Sequence, residues 1–266
     1  MRVLIRGGGD LASGVAWRLY QCGFRVLITE IPAPLSVRRK VSFCEAVFDR
    51  SAEVEGVRAV LVGSAREIPG PWERGEIPVL VDPECRTKEA LRPEALVDAI
   101  IAKRNLGTTI RDAPLVIALG PGFEAGKDAH FVVETNRGHR LGRLLTSGSA
   151  EPDTGVPGPV KGITSDRVLR SPADGLWENT LDIGDMVKPG DLVGFVEGKA
   201  LHANIAGVIR GLIHRGVRVR EGLKVGDIDP RGNVADCFTI SDKALAIAGG
   251  VIEGIVRRYG RQCRVP

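Results

Sequence analysis

The chain has 266 residues, of which 43% are hydrophobic, 26% are charged and 5% are aromatic, a balance typical of one large or two ordinary globular domains with an aliphatic core. The net charge of +4 suits a small anionic ligand, and no basic stripe interleaved with aromatic residues points to nucleic acid. Five cysteines without a CxxC pair indicate neither a disulfide framework nor a zinc knuckle.

A strand, a glycine turn and a helix open the chain. Residues 2–6 are predicted as a β-strand, and RGGGDLASG follows at once. This turn fits G-x-G-x-x-G/A, in which the glycines permit a tight turn and let the backbone approach a pyrophosphate. Helical spacing of apolar residues predicts a helix over about 10–22, whose first N–H groups favour a phosphate. The residues predicted to contact a cofactor here are Gly7, Gly8, Gly9, Asp10 and Leu11.

A second strand is predicted over residues 24–29, and Glu30 lies at its end. An acidic residue about twenty positions after the glycines is placed to hold a ribose diol, so Glu30 is a further predicted contact. Asp10 departs from the pattern, because its charge opposes a phosphate unless its side chain caps the helix. Further strands are predicted at 45–48, 57–62 and 77–81, and a helix at 93–104. The alternation predicts a Rossmann-like α/β domain with a parallel sheet over residues 1–112.

Polar residues are concentrated in a central segment, 113–165. A buried strand is predicted over 113–119, a tight turn follows it, and residues 129–134 and 139–145 are predicted to form a hairpin. We expect a ligand site here, between two domains, and a solvated hairpin with salt bridges is the alternative. Arginine suits an anionic ligand because its guanidinium grips phosphate in two places. The predicted contacts are Gly120, Gly122, Asn136, Arg137, His139 and Arg143.

Four residues of this segment are of types that bind metals. Asp128, His130 and Glu134 would share one face of a strand, and His139 follows. The spacing lacks HxH or HExxH, so no metal is predicted, and the alternative reading is hydrogen-bonded strand residues. Residues 146–164, rich in Gly, Pro, Ser and Thr, are predicted as a long loop or linker.

The last segment, residues 166–266, is predicted as a β-rich domain with a C-terminal helix over 241–258. Two half-repeats match at a spacing of 32. Each half reads as strand, turn, strand and cannot bury a core alone, so the halves are predicted to pack face to face. The pattern resembles the biotinyl/lipoyl-type sandwich. Carrier versions place a lysine between two methionines in the joining turn, and Lys199 lacks both, so no carrier function is predicted. The matched positions are 175 with 207, 176 with 208, 184 with 216, 187 with 219, 190 with 222 and 193 with 225.

Six segments together carry a resemblance over nearly the whole chain: RGGGDLASGVAWRL, TEIPAPLSVRRKVSF, NLGTTI, GPGFEAGKDAHFVVETNRGHRLGR, GDIDPRG and ISDKALAIAGGV. With them the chain resembles the accessory proteins of the selenium-dependent molybdenum hydroxylase system (the YqeB type) and, distantly, the xanthine dehydrogenase accessory proteins. The resemblance implies a cytoplasmic accessory role in maturing a molybdenum hydroxylase, with the hydroxylase or its maturation proteins as partners. It carries over to Gly7–Gly9 and Gly120–Arg143 as site positions and supplies no catalytic residue.

The first functional hypothesis is an accessory protein that binds a nucleotide (NAD or similar) or a molybdenum cofactor of the molybdopterin type between its domains. The alternative is an NAD(P)-dependent oxidoreductase or a cofactor-modifying transferase, with His130 or His139 as acid/base. A scaffold that only docks a partner is the third. No nucleophile is paired with a base, so the sequence leaves the catalytic residue unassigned. The expected partner is a small anionic ligand, not nucleic acid or membrane, and a homo-oligomer is compatible with the sequence.

Overall fold

The computed structural model describes residues 1–155 and 158–260. The chain divides into two compact units. The first comprises Met1–Pro34, Phe43–Thr154 and the chain from Ile240 onward, and the second comprises Leu35–Ser42 and Gly155–Thr239. Within the described ranges, no helix has both the length and the hydropathy needed to cross a membrane.

The first unit is built on a nine-stranded mixed sheet. Its strands, with those of a separate two-stranded ladder, are β1 (Arg2–Arg6), β2 (Arg25–Glu30), β3 (Ser51–Val54), β4 (Val57–Val62), β5 (Ile77–Val81), β6 (Ala95–Asp98), β7 (Leu115–Leu119), β8 (Glu124–Ala125), β9 (Phe131–Val133), β10 (Leu144–Leu145) and β11 (Gly148–Ser149). The sheet order is β10-β9-β7-β6-β1-β2-β5-β4-β3, and β8 pairs with β11. The seven inner strands are parallel, whereas β3 and β10 run antiparallel at the edges. The inner strands are nearly continuous apolar runs because both faces of the sheet are covered.

Two long helices and three short ones accompany this sheet: α1 (Asp10–Gln21), α2 (Ala46–Asp49), α3 (Pro69–Glu73), α4 (Thr87–Leu91) and α5 (Asp242–Tyr259). Helix α1 follows the glycine turn directly and packs against α5. Helix α5 begins after Ser241, whose hydroxyl accepts a hydrogen bond from the Ala244 N–H, and it also contacts β7, β9 and β10. A buried aliphatic cluster that includes Leu4, Leu27, Leu96 and Val116 forms a core of this unit.

The second unit contains two antiparallel four-stranded sheets. The strands are β12 (Val168–Arg170), β13 (Gly175–Asn179), β14 (Met186–Val187), β15 (Leu192–Val196), β16 (Lys199–His202), β17 (Gly207–Leu212), β18 (Arg218–Val219) and β19 (Lys224–Asp229). One sheet has the order β12-β19-β17-β14 and the other β16-β15-β13-β18. Strands β13, β14 and β15 begin 32 residues before β17, β18 and β19, respectively. Residues of both sheets share one core around the fully buried Trp177.

The predicted fold class, a Rossmann-like domain with a parallel sheet followed by a biotinyl/lipoyl-like sandwich and a C-terminal helix, is wrong. The first unit's sheet is mixed, and it continues past residue 112 to Leu145. The two half-repeats do not form separate layers, because each contributes its short middle strand to the other sheet: β14 pairs with β17, and β18 pairs with β13. Helix α5 belongs to the first unit, where it packs against α1.

Two individual elements also differ from the prediction. The region predicted as a helix over 93–104 contains β6, because a short apolar run fits a fully buried strand as well as a helix face. The run predicted as a strand over 45–48 forms most of α2 instead. For β6, tertiary contacts override the local pattern, since this strand is completely buried between β1 and β7.

Candidate functional site

The polar residues of the first unit gather at the carboxyl edge, where β2, β1, β6, β7 and β9 end. The chain leaves β1 towards β2 and β5 on one side and reaches β6, β7 and β9 on the other. The order of the strands therefore reverses at β1. In open parallel sheets, ligands bind outside the carboxyl ends of the strands at such a point. The carboxyl edge is the candidate site.

The glycine turn at this edge is already occupied by the chain itself. The Gly8 N–H donates to Glu30 Oε1 at 2.7 Å, and the Ile31 N–H donates to Oε2 at 2.7 Å. A Cβ built on Gly8 would lie 3.0 Å from the Ile28 side chain and 3.1 Å from the Cys44 nitrogen. Burial raises the pKa of Glu30, and its two backbone hydrogen bonds oppose that rise. Glu30 thus accepts two backbone hydrogen bonds at the turn where a pyrophosphate was predicted to bind.

The other predicted contacts of the turn remain at the edge. Gly7, with a φ of +96°, Gly9 and Asp10 are partly exposed, whereas Leu11 is buried in the core. Helix α1 has Gly9 as its N-cap, and no side chain among the described residues caps it. Its first N–H groups therefore direct a partial positive charge towards the site.

A buried network that was not predicted from the sequence fixes the next segment of the edge. Arg6 donates to Thr108 Oγ1 at 2.9 Å and to the carbonyl oxygens of Pro83 and Leu106, and Thr108 donates to Asp98 Oδ2 at 2.6 Å. Burial raises the pKa of Asp98, while the hydrogen bonds from Thr108 and Ile100 and the charge of Arg6 oppose the rise. The sequence gives little indication of this network, because its hydrogen-bonding partners come from three separate segments.

The segment between Asp98 and Thr108 carries backbone strain. Ile101 has a φ of +59° and Lys103 a φ of +61°, in the left-handed region that a β-branched residue such as isoleucine seldom adopts. Strain of this kind costs of order 1–3 kcal/mol and persists only where the surrounding structure imposes it, often at ligand sites. A Cβ on Gly122, one of the predicted contacts, would lie 2.5 Å from the Arg104 Cα, so this turn packs against the strained segment.

Glu134 fixes the start of the basic loop, which we define as residues 136–143. Its side-chain oxygens accept hydrogen bonds from the N–H groups of Thr135, Asn136 and Glu151, each at 2.7 Å, and the residue is only 2% exposed. Further along the loop, Gly142 has a φ of +78°, and a Cβ there would lie 2.5 Å from the Ala246 carbonyl oxygen. The loop backbone therefore lies directly on α5.

The predicted contacts of the basic loop divide into two groups. Asn136 and Arg137 have partners within the unit: Asn136 Nδ2 donates to Glu151 Oε2 at 2.6 Å, and Arg137 makes two 2.9 Å bonds to the Asp242 carboxylate. His139 and Arg143 are exposed, as is Arg140, which was not among the predicted contacts. Gly120 lies beside the loop, because a Cβ there would be 2.5 Å from Thr135 Oγ1.

Lys243, in the first turn of α5, is a functional candidate absent from the predicted contacts. Its side chain is partly buried, and no hydrogen bond or ion pair to its ammonium occurs among the described residues. Burial lowers the pKa of Lys243; Asp10, Glu134 and Asp242 raise it, and Arg137 lowers it. The sequence could have indicated this residue, because a lysine in the first turn of a helix lies at its positive end, where a cation is unfavourable.

The residues of metal-ligand type that the sequence singled out in the central segment do not converge. His130 Nδ1 accepts a hydrogen bond from the Val116 N–H at 3.0 Å, and Asp128 accepts one from the Glu124 N–H at 2.8 Å, both at the amino end of β9. Glu134 lies at the opposite end of that strand. Burial, aided by the charge of Arg258, lowers the pKa of His130. The expected shared face is absent because β9 spans only Phe131–Val133.

Comparison with known proteins leads first to YqeB of Escherichia coli (strain K12), described as uncharacterized. The chain is 51% identical to it over 254 residues, which cover 96% of this chain and 47% of YqeB. The chain thus spans about half the length of this relative. The identity makes the chain a homologue of YqeB and supports the predicted likeness to YqeB-type proteins. No protein-family model matches the chain.

Several solved structures show weak likeness. An aspartoacylase family protein from Mesorhizobium loti has a TM-score of 0.29 at 14% identity, covering 85% of this chain and 84% of its own. A succinylglutamate desuccinylase from Silicibacter has a TM-score of 0.25 at 16% identity, covering 85% and 84%. A succinylglutamate desuccinylase/aspartoacylase from Rhodobacter sphaeroides has a TM-score of 0.23 at 24% identity, covering 24% and 22%. Scores this low assign this chain none of their reactions.

These findings correct the predicted function. The solved structures named above are aspartoacylase and succinylglutamate desuccinylase proteins, and none of the three is a molybdenum hydroxylase accessory protein or an NAD(P)-dependent oxidoreductase. Within the glycine turn that was predicted to bind a nucleotide, the Gly8 amide is engaged by Glu30. The functional predictions built on a Rossmann-like nucleotide-binding domain and on molybdenum are therefore wrong. The identities of the site residues stay a prediction.

Proposed function

We propose that this chain binds a small carboxylate or related oxyanion at the carboxyl edge of the first unit, as a cytoplasmic protein. The observation that carries the proposal is the partly buried Lys243 side chain, whose amine makes no hydrogen bond or ion pair among the described residues. A cation partly withdrawn from water is stabilised by a bound anion. The uncapped start of α1 adds a second positive pole that favours the same kind of ligand.

The neighbouring charges limit what the ligand can be. Asp10 and Asp242 lie in the first turns of α1 and α5, and Arg137 engages Asp242. The Asp10 carboxylate would repel the second charge of a phosphate dianion more strongly than it would repel a single carboxylate. A small monocarboxylate therefore fits the edge better than a phosphate ester.

Thermal unfolding tests this proposal. Pyruvate, acetate and inorganic phosphate would be titrated against the wild type, Lys243→Met and Lys199→Met, with sodium chloride added to equalise ionic strength. Lys199 is an exposed lysine of the second unit and is the matched control. Ligand at a hundred times its dissociation constant adds about 2.7 kcal/mol of stability.

We expect pyruvate or acetate to raise the melting temperature of the wild type and of Lys199→Met, and to have little effect on Lys243→Met. Equal shifts in all three proteins would show that Lys243 is not part of an anion site. No shift beyond that produced by sodium chloride would also reject the proposal.

A further inference from the structure

We propose that the second unit binds the phosphate group of a small ligand between Arg210 and Arg231. The site lies at the end of β19, where the segment GDIDPRG (residues 226–232) leaves the sheet. Every residue of the site belongs to the second unit. The inference therefore goes beyond the carboxylate site proposed for the first unit and does not depend on it.

Asp229 brings the two arginines together. This residue is only 3% exposed, and its Oδ2 accepts a hydrogen bond of 2.6 Å from Nη2 of Arg231. Nη1 of Arg210, on the neighbouring strand β17, lies 3.5 Å from the same oxygen. Because both guanidinium groups lie against one carboxylate oxygen, a single bound ion can contact both of them.

Arg210 lacks the hydrogen bonds that a mostly buried arginine requires. Its side chain is 15% exposed, and its Nε is enclosed by protein without a hydrogen-bond partner in the part of the chain that the structure describes. Its contact with Asp229, at 3.5 Å, is an ion pair longer than an ordinary hydrogen bond. Since buried charged groups are normally hydrogen-bonded as well as paired, an oxyanion with several acceptor oxygens fits this guanidinium.

Arg231 forms the solvent-facing side of the site. Its Nε donates to Oδ1 of Asp229 at 2.9 Å, so that its guanidinium contacts both carboxylate oxygens. The side chain is nevertheless 43% exposed. An ion arriving from solvent can therefore reach this arginine without disturbing the buried carboxylate.

The side chains around Asp229 carry an excess of positive charge. Nη2 of Arg38 donates to the Asp236 carbonyl oxygen at 2.9 Å, and the Asp236 carboxylate lies 3.9 Å from Nη2 of Arg231. Three guanidinium groups, those of Arg38, Arg210 and Arg231, thus surround two carboxylates. A buried water molecule would satisfy a hydrogen bond without balancing this charge, whereas an anion does both.

The same excess recurs one step earlier along β19. Asp227, two residues before Asp229, lies on the same face of the strand and is 7% exposed. It pairs with Arg167 and with Lys224, the latter at 3.7 Å. Each of the two buried carboxylates is therefore shared by two cationic side chains, which makes this face of the strand attractive to anions.

Phosphate suits the site better than a carboxylate does. The planar fork of a guanidinium group matches phosphate in two places. A single arginine can occupy both oxygens of a carboxylate, whereas a phosphate group has three strong acceptor oxygens. Phosphate can therefore accept hydrogen bonds from Arg210 and Arg231 at the same time.

Isothermal titration calorimetry tests the inference. Inorganic phosphate, glycerol phosphate and acetate would be titrated into the wild type, Arg210→Met and Arg215→Met at equal ionic strength, with circular dichroism as the check of folding. Arg215, an exposed arginine of the same unit that pairs with Glu178, is the matched control. We expect the wild type and Arg215→Met to bind phosphate equally well. Arg210→Met should bind phosphate at least about tenfold more weakly, because it lacks a charged hydrogen-bond donor.

Three results would each overturn the inference: no binding of phosphate by the wild type, equal affinities of the wild type and Arg210→Met, or acetate bound as tightly as phosphate. Hydrogen exchange of the wild type gives a second measurement in case Arg210→Met does not fold. Phosphate should protect the peptides that contain Arg210 and Arg231, and no protection there would also overturn the inference. Tighter binding of glycerol phosphate than of inorganic phosphate would support a phosphate ester as the ligand, and the reverse order would support free phosphate.

Discussion

Glu134 should be one of the most sensitive positions of the first unit, because one buried side chain satisfies three backbone N–H groups. In Glu134→Ala, the Thr135 N–H would stay buried without a partner, which costs about 1–3 kcal/mol. The N–H groups of Asn136 and Glu151 belong to exposed residues and can hydrate, so each loss costs about 0.5–1 kcal/mol. We expect a total loss of about 2–5 kcal/mol. For a chain of this size, that corresponds to a fall of roughly 4–20 °C in melting temperature.

Glu134→Gln gives an internal comparison. Its amide oxygen can still accept from Thr135 and Asn136, whereas its NH₂ group would face the Glu151 N–H, so a loss of about 1–2 kcal/mol is expected. Urea unfolding followed by circular dichroism measures the stability, and hydrogen exchange of the basic loop shows where protection is lost. Glu89→Ala, on the exposed surface of α4, is the control and should change stability by less than about 0.5 kcal/mol. Equal stabilities for Glu134→Ala and this control would refute the assigned role of the three hydrogen bonds.

Three further predictions concern backbone, thiol and core. Gly142→Ala should lower the free energy of unfolding in urea by about 2–4 kcal/mol, because a strained φ adds to a collision with α5. Gly148→Ala, with a φ of +72° and open space around its Cβ, should lower it by only about 1 kcal/mol, and equal losses would exclude the collision. Iodoacetamide at pH 8 should label the exposed Cys22 quickly and Cys85 hardly at all, because burial raises the pKa of Cys85 to about 11 and leaves about 0.1% of the Cys85 thiol as thiolate. Rapid labelling of both cysteines in peptide maps would contradict this expectation. Trp177→Ala should destabilise the second unit by about 3–5 kcal/mol, measured by its denaturation midpoint, since the side chain is fully buried. A loss below about 1 kcal/mol would mean that neighbouring core side chains move in to fill the cavity.

The elements that the sequence predicted well are those specified within a few residues. The first strand, the glycine turn, the helix from Asp10 and the strand that ends at Glu30 occur where local periodicity and glycine positions place them. The spacing of 32 residues also has its counterpart in the starts of the strands of the second unit. These features depend on side-chain periodicity and on backbone angles, both of which are written in short stretches of chain.

Which strands pair, and which polar side chains remain available, was decided by tertiary structure. The apolar run around Leu96 fits a helix or a buried strand equally well, and only its insertion between β1 and β7 selects the strand. Arg137 was predicted as a ligand contact because it lies in a polar segment, but in the structure its guanidinium binds Asp242, which lies 105 residues further along the chain.

The same distinction separates the predicted site from the one now proposed. Glu30 stands where the sequence pattern places an acidic residue, but its side chain turns back onto the Gly8 amide. Lys243 gains its importance from Asp10 and Glu134, which come from distant parts of the chain. Local sequence sets backbone conformation and the face that each residue presents. The charge state and the free hydrogen-bonding capacity of a side chain depend on burial and on neighbours brought together only by folding.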